Sequence, residues 1–258
     1  MNNQAFNELL EKNTIRSMLF KVKKNQLQML KNRGYDIGAE EGTLTTDIRS
    51  FITFYDEQSR LNKKSFREMM NGFYSRPDDN VYVYFLDTPS DKAEIGKAQI
   101  TAVMEQLNKD LPTVRHVILI AEIGISSDSR TVLSSLPSYH FEFFMYEDLA
   151  YNPTENFLAS KHTLLTEGQK YLFLNSWPEE DGKKKKININ NLPGITIHDP
   201  ISKYYGGKAG DIFFIQRPDI TGKTLIKDPT LFYRAAVDRP ISRFKITAAT
   251  KTAKDVDD

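Results

Sequence analysis

Acidic residues that could hold a catalytic metal ion follow two strongly apolar stretches of the chain. Asp87 comes just after VYVYFL, residues 81–86, and Glu122 comes just after VRHVILI, residues 114–120. A metal-dependent nuclease site needs clustered carboxylates and a lysine at strand ends. Gly124 stands where such a site would place its lysine. We therefore interpret both acids as solvated strand-end residues, and nuclease-like chemistry remains only an alternative.

Other catalytic and ligand-binding patterns fail on spacing or composition. Gly222-Lys223-Thr224 resembles the end of a phosphate-binding loop, but that motif needs a glycine five residues before Gly222, where Arg217 stands. The sequence has no cysteine, which excludes disulfides and thiolate metal sites. The four histidines are spread along the chain without the spacing of a ligand set: His116, His140, His162 and His198. We therefore predict no catalytic residue, no cofactor and no metal.

Bulk composition is that of a globular protein with two different charged parts. The 258 residues are 40% hydrophobic and 27% charged, and no run of apolar residues is long enough for a membrane span. The first residues are polar and do not resemble a signal peptide. The formal net charge is +1, but residues 183–258 hold 15 basic and 8 acidic residues. This division into an acidic and a basic part suits a protein with two different neighbours in a complex.

A helix with a basic surface is predicted from Ile15 to Arg33. Its apolar residues recur at helical spacing and Gly34 supplies a glycine stop. The rest of its surface is a solvated face or a contact with a nucleic-acid backbone, where lysine and arginine displace counterions. Its basic residues are Arg16, Lys21, Lys23, Lys24, Lys31 and Arg33.

The positions of apolar runs predict an α/β layout over residues 44–149. Residues 44–76 form a mixed helical region. After it, strands alternate with helices, which favours a partly parallel sheet. The predicted strands are 81–86, 114–120 and 139–144, and the predicted helices are 92–109 and 126–136.

Residues 198–219, HDPISKYYGGKAGDIFFIQRPD, are richer than any other stretch of the chain in residues that favour a particular backbone conformation. Asp199-Pro200 predicts a turn or a helix start, and Gly206-Gly207 ends the short helical turn that follows. Residues 208–211 are typical of a tight turn, and an apolar strand then runs to Arg217-Pro218. We interpret this segment as a small rigid docking module rather than a catalytic site.

The same segment resembles a known family. The order Asp199-Pro200, Tyr204-Tyr205-Gly206, Lys208, Gly210 and Arg217-Pro218, followed by Tyr233-Arg234, is similar to the assembly domain of RNA polymerase subunit 5. That protein is the fifth shared subunit of eukaryotic polymerases, and its archaeal counterpart is a small polymerase protein that consists of little more than this domain. Two earlier stretches, VILIAEIGIS and LPSYHFEFFMYEDLAYNPTEN, resemble the N-terminal jaw domain of the family.

The resemblance implies a two-domain organisation. Residues 1–165 would form an α/β jaw domain with a mixed or partly parallel sheet, and residues 191–237 a small α+β assembly domain. Residues 166–190 would be a flexible linker with an insertion, since they are polar and turn-rich. Residues 238–258 extend past the family's usual end, and their charged last part predicts disorder.

The resemblance also implies a non-catalytic subunit of a DNA-dependent RNA polymerase. It would dock on the largest subunit, contact other polymerase subunits, and help to frame downstream double-stranded DNA, which it would contact weakly and in the complex. The alternative is a stand-alone DNA-binding or nuclease-like protein. The basic residues expected near DNA are Lys21, Lys23, Lys24 and Arg33. The residues expected at the partner contact are Asp199, Pro200, Tyr204, Tyr205, Gly206, Lys208, Gly210, Arg217, Pro218, Tyr233 and Arg234.

Several features mark a divergent member of that family. The linker is long and rich in Asn, Lys and Ile, the turn around Lys227-Asp228-Pro229 is enlarged, and the tail is added. Such divergence would suit a copy carried by a large DNA virus. A cellular copy would work in the nucleus, and a viral copy in the host cytoplasm or the virion. The sequence leaves this choice, and the polymerase class, open.

Overall fold

A computed structural model describes residues 3–88, 93–156, 159–175, 186–217 and 230–238, with side chains from Thr14 onward. The chain divides into two compact units. Unit 1 comprises Met1–Ala159 together with Tyr204–Gly206, and unit 2 comprises Ser160–Lys203 together with Gly207–Asp258. Within the described ranges, no helix is long and apolar enough to cross a bilayer.

A four-stranded mixed sheet forms the centre of unit 1. Its strands lie in chain order, with β1 antiparallel to β2 and the remaining pairs parallel, so the predicted partly parallel sheet is confirmed. All six residues of β3 are buried, because the sheet is covered on both faces. The strands are β1, Gly72–Arg76; β2, Asp79–Phe85; β3, His116–Ala121; and β4, His140–Met145.

Four helices cover this sheet. Because side chains alternate along a strand, Ile118 and Ile120 face a core built with α1 and α2, while Val117 and Leu119 face a second core built with α3 and α4. The result is a three-layer arrangement, and the predicted α/β class is confirmed. The helices are α1, Asn3–Asn32; α2, Ile48–Asn62; α3, Lys97–Asp110; and α4, Ser127–Ser134.

Two sequence predictions for unit 1 need correction. The region predicted as helical up to residue 76 ends instead in strand β1, whose residue Tyr74 is buried between more exposed neighbours. Helix α3 begins at Lys97 because Ile95 is held in an extended bridge to Ile125, with its amide bonded to the Gly124 carbonyl at 2.9 Å. The predicted start at residue 92 lies outside the described residues.

Unit 2 contains a second mixed sheet in the order β5-β7-β8-β6. Strand β7 is antiparallel to β5 and β8, and β6 is parallel to β8. Strands β7 and β8 thus form an antiparallel pair, while Pro218 and the rest of the segment that joins them lie outside the described residues. The strands are β5, Lys161–Leu164; β6, Gly194–Thr196; β7, Ile212–Arg217; and β8, Thr230–Val237.

The segment predicted as a flexible linker contains a helix. Helix α5, Glu167–Asn175, lies between β5 and β6 in the chain, and its Phe173 ring stacks on Tyr233 of β8 at 4.0 Å. The sequence did not predict this helix, which the aromatic contact gives a sheet to pack on. Helix α6, Pro200–Tyr204, is the helical turn expected in the docking segment.

Candidate partner-binding site

The start of α6 is fixed by a side-chain cap. The Asp199 carboxylate accepts hydrogen bonds from the Ile201 amide at 2.9 Å and the Ser202 amide at 3.4 Å. Pro200 opens the helix, where its missing N–H costs nothing. Asp199 and Pro200 therefore set the backbone direction of this segment, as the sequence predicted.

Glycines end the helix and allow close packing. Gly206 and Gly210 have positive φ values of 69° and 92°, which side-chain-bearing residues adopt only under strain. At Gly207 the constraint is space: a Cβ atom would lie 2.7 Å from the Ser202 hydroxyl and 2.8 Å from the Phe213 ring. These positions shape the segment rather than offer binding groups.

The turn after the helix is tied to strand β8. The Lys208 amide donates to the Asp211 carboxylate at 2.7 Å, and the Asp211 amide returns a bond to the Lys208 carbonyl at 3.0 Å. The Gly210 amide donates to the Ala236 carbonyl at 2.9 Å. This geometry holds the exposed Lys208 side chain on a fixed backbone.

The two adjacent tyrosines belong to unit 1 by their contacts. Tyr204 is 2% exposed; its hydroxyl accepts a hydrogen bond from the Asn32 amide at 2.8 Å, and its carbonyl accepts one from Arg33 at 2.8 Å. Burial raises the pKa of Tyr204 to about 12. Tyr205 is half-buried against the same core. Tyr204 therefore serves packing within unit 1.

The remaining predicted contact residues that the structure describes lie on β7 and β8. Arg217 is exposed, with its guanidinium 4.5 Å from the centre of the Phe232 ring. Arg234 donates to the Gly194 carbonyl at 3.2 Å, and Tyr233 lies under Phe173. Of the predicted set in the described residues, Lys208 and Arg217 offer exposed charged side chains.

Two of the four lysine and arginine side chains expected near DNA are interior. Lys23 is 0% exposed, and its ammonium group donates at 2.9 Å to the Glu40 carboxylate, the Met70 carbonyl and the Tyr74 hydroxyl. Burial lowers the pKa of Lys23, an effect that Glu40 opposes. Lys21 is exposed and Lys24 half-buried, so these two side chains remain accessible.

Arg33 forms a buried bidentate ion pair with Glu142. Its two terminal nitrogens lie 2.7 and 2.8 Å from the two carboxylate oxygens, and its side chain is 3% exposed. Burial alone would raise the pKa of Glu142, but the Arg33 charge and a hydrogen bond from His116 outweigh it and hold that pKa well below its usual range. Arg33 therefore acts inside unit 1.

His116 connects Glu142 to a second carboxylate. Its Nε2 atom lies 2.8 Å from Glu142, and its Nδ1 atom lies 2.7 Å from Asp79, which also accepts a hydrogen bond from Tyr35 at 2.5 Å. Sequence reasoning missed this buried network, because it joins residues 109 positions apart. The sequence offered one signal: His140 and Glu142 are two positions apart at the start of β4, and this spacing places their side chains on the same face of a strand.

The acids considered for nuclease chemistry do meet at one edge of the sheet. Asp87 and Glu122 follow β2 and β3, and their carboxylates lie 3.8 and 2.9 Å from the guanidinium of Arg67. Arg67 also donates to the Tyr146 hydroxyl at 3.0 Å. Arg67 therefore joins both acids in one ion-pair network. Gly222-Lys223-Thr224 lies outside the described residues.

These features define a two-unit α/β protein whose distinctive motif fixes backbone shape and carries the exposed side chains of Lys208 and Arg217. Two family models match it: the N-terminal domain of RNA polymerase Rpb5 over residues 13–107 and the C-terminal domain over residues 151–234. The chain belongs to the RNA polymerase Rpb5 family. This family consists of non-catalytic accessory subunits, so the chain is not itself an enzyme.

Relatives align over most of their length. The chain is 29% identical over 205 residues to the DNA-directed RNA polymerase subunit 5-like protein 1 of Arabidopsis thaliana. It is 26% identical over 206 residues to the RPABC1 subunit of DNA-directed RNA polymerases I, II and III of Caenorhabditis elegans. Each alignment covers 79% of this chain and 90% of the relative.

Proposed function

We propose that this chain is a structural subunit of a DNA-dependent RNA polymerase, which docks on the largest subunit through unit 2. The observation that carries the proposal is the match of both Rpb5 domains in order along the chain, the N-terminal one within unit 1 and the C-terminal one mainly in unit 2. An alignment to 90% of the relatives' length supports a role for the whole chain rather than for one borrowed domain.

The exposed charges of the docking segment are the proposed contact. Lys208 lies on a turn held by hydrogen bonds around Asp211 and Ala236, and Arg217 ends a buried strand. Side chains on such rigid supports lose less conformational freedom on binding. Arginine also carries much of the energy of many protein interfaces.

Framing of downstream DNA is proposed for those of the four basic residues expected near DNA that are accessible. Lys21 and Lys24 meet this requirement, whereas Lys23 and Arg33 are engaged inside unit 1. A contribution of two lysines is small, so DNA contact would depend on assembly with the catalytic subunits. A cellular copy would act in the nucleus, and a viral copy in the host cytoplasm or the virion.

Affinity purification of the tagged chain from its native source, followed by mass spectrometry, tests the proposal. We expect the two largest polymerase subunits in stoichiometric amount at moderate salt. The Lys208→Ala and Arg217→Ala variants should retain less of the largest subunit. Lys161→Ala, a change at an exposed lysine of β5 in the same unit, is the matched control. Recovery of the chain without a large partner would contradict the proposal.

A further inference from the structure

We propose that His116, His140 and Glu142 form a binding site for a divalent transition metal ion of the zinc class. His116 and His140 are direct partners across the parallel pair of β3 and β4, and Glu142 lies two residues further along β4 on the same face. One donor atom from each of the three residues lies within 4.8 Å of the other two. The strand register therefore gathers a ligand set that is scattered in the sequence.

The distances suit a small metal ion. Glu142 Oε1 lies 2.8 Å from His116 Nε2 and 3.9 Å from His140 Nε2, and the two imidazole rings are 4.6 Å apart. Zinc bonds to histidine nitrogen and carboxylate oxygen are about 2.0–2.2 Å long. Ligand atoms of a tetrahedral site are then roughly 3.3 Å apart. Two histidines and one glutamate, with water in the fourth position, are a set that zinc accepts.

A further carboxylate orients the first ligand. Asp79 accepts a hydrogen bond from His116 Nδ1 at 2.7 Å, which directs Nε2 toward Glu142. Metal-binding histidines usually have such a partner on their other nitrogen, since it fixes the tautomer and the ring orientation. Tyr35 donates to the same Asp79 carboxylate and holds it in place.

The Arg33 ion pair limits the affinity of the site. Glu142 Oε1 accepts hydrogen bonds from Arg33 and from His116 Nε2. A metal ion held by Oε1 and Nε2 therefore replaces both bonds and releases the Nε2 proton, while the Arg33 bond to Oε2 can remain. We therefore expect micromolar rather than nanomolar binding of zinc. The His140 side chain is 36% exposed, against 9% for His116, and gives the ion its route from solvent.

Calorimetric titration of the full chain with Zn²⁺, and visible absorption with Co²⁺ as a probe, test the site. We expect one saturable site, a higher thermal midpoint with zinc, and the intense d–d bands of tetrahedral cobalt. His140→Ala should weaken binding by about tenfold or more. His198→Ala removes an exposed histidine of unit 2 and should leave binding unchanged.

Circular dichroism of His140→Ala checks that the fold is retained, which the partial exposure of this residue favours. Two results would overturn the proposal. One is the absence of saturable zinc binding to the folded chain. The other is equal affinity in the wild type and the folded His140→Ala variant, which would assign the bound ion to other residues.

Discussion

The buried ion pair of Arg33 and Glu142 should be among the most costly polar interactions to break. Replacing Glu142 by Gln leaves the Arg33 charge buried without a counter-ion, which we expect to destabilise the protein by about 3 kcal/mol. Urea denaturation of the variant measures this loss. Glu41→Gln is the control, because its partner Lys31 is exposed and such a pair contributes less than about 1 kcal/mol. Equal stability of the two variants would contradict the buried role.

Because the pKa of Glu142 is lowered in the folded state, the free energy of unfolding should decrease at acidic pH. The folded-state pKa of Glu142 lies below the value for an unfolded chain, and the pKa of Asp79 is lowered as well, by hydrogen bonds and charges that outweigh its desolvation. Their stabilising contributions are complete above the unfolded pKa values, near about 4, and decline as pH falls toward the folded values. Denaturation midpoints between about pH 6 and pH 3 should fall less for Glu142→Gln than for the wild type, with Asp79 accounting for part of the remaining slope.

Gly207 is predicted to be intolerant of any side chain. A methyl group there meets Ser202 and the buried Phe213 ring below 3.0 Å, so we expect Gly207→Ala to cost about 1–3 kcal/mol through overpacking. Gly168→Ala offers a control in the same unit, since nothing lies within 4 Å of its Cβ position and alanine favours the helix it occupies. If thermal melting shows no difference between them, the close approach at Gly207 is not a constraint in solution.

At the scale of elements, α5 should depend on one aromatic contact. Phe173 stacks on Tyr233, whereas Tyr171 is 66% exposed. We expect Phe173→Ala to cost about 2 kcal/mol and to increase hydrogen exchange across α5, because the helix loses its packing partner. Tyr171→Ala should stay within about 0.5 kcal/mol of the wild type. Unchanged exchange in Phe173→Ala would mean that other contacts hold the helix.

Elements with a strong local pattern were predictable, and those defined by distant partners were not. Strands β2, β3 and β4 lie within one or two residues of the apolar runs that predicted them. Strand β1, GFYSR, was missed because five residues are too few for an alternation of buried and exposed positions to be recognised in the sequence. Its pairing with β2 is visible only in the structure. Helix α5 was missed because its sequence is polar at one end and its packing partner, Tyr233, lies far along the chain.

The candidate site also has features that the local sequence predicts and features that depend on distant partners. Capping by Asp199 and the glycine conformations follow from residue type within a few positions, and the sequence predicted that segment's backbone. The basic surface assigned to α1 was only partly foreseeable. Lys23 points to Glu40 and Tyr74, and Arg33 to Glu142, and a one-dimensional helical pattern contains no information on such partners.

For the whole molecule, the uneven distribution of charge along the chain bears on how strongly it can bind DNA. The first 182 residues hold 20 basic and 26 acidic residues, so α1 presents its lysines from an acidic background. Non-specific DNA affinity depends on the number of phosphates that are neutralised, and falls steeply with salt. The accessible lysines of α1 are therefore too few to support strong binding by themselves.

A direct measurement separates the polymerase subunit from a stand-alone DNA-binding protein. By fluorescence anisotropy with a labelled duplex, the isolated chain should bind no more tightly than about 10 µM at physiological salt. Lys21→Ala combined with Lys24→Ala should weaken the residual binding and lower its salt dependence. Lys97→Ala combined with Lys109→Ala, at exposed lysines of α3, should change neither. Nanomolar affinity of the free chain would contradict weak, assembly-dependent contact. It would instead favour a protein that binds DNA by itself, since no assembly with large subunits would then be needed to hold the duplex.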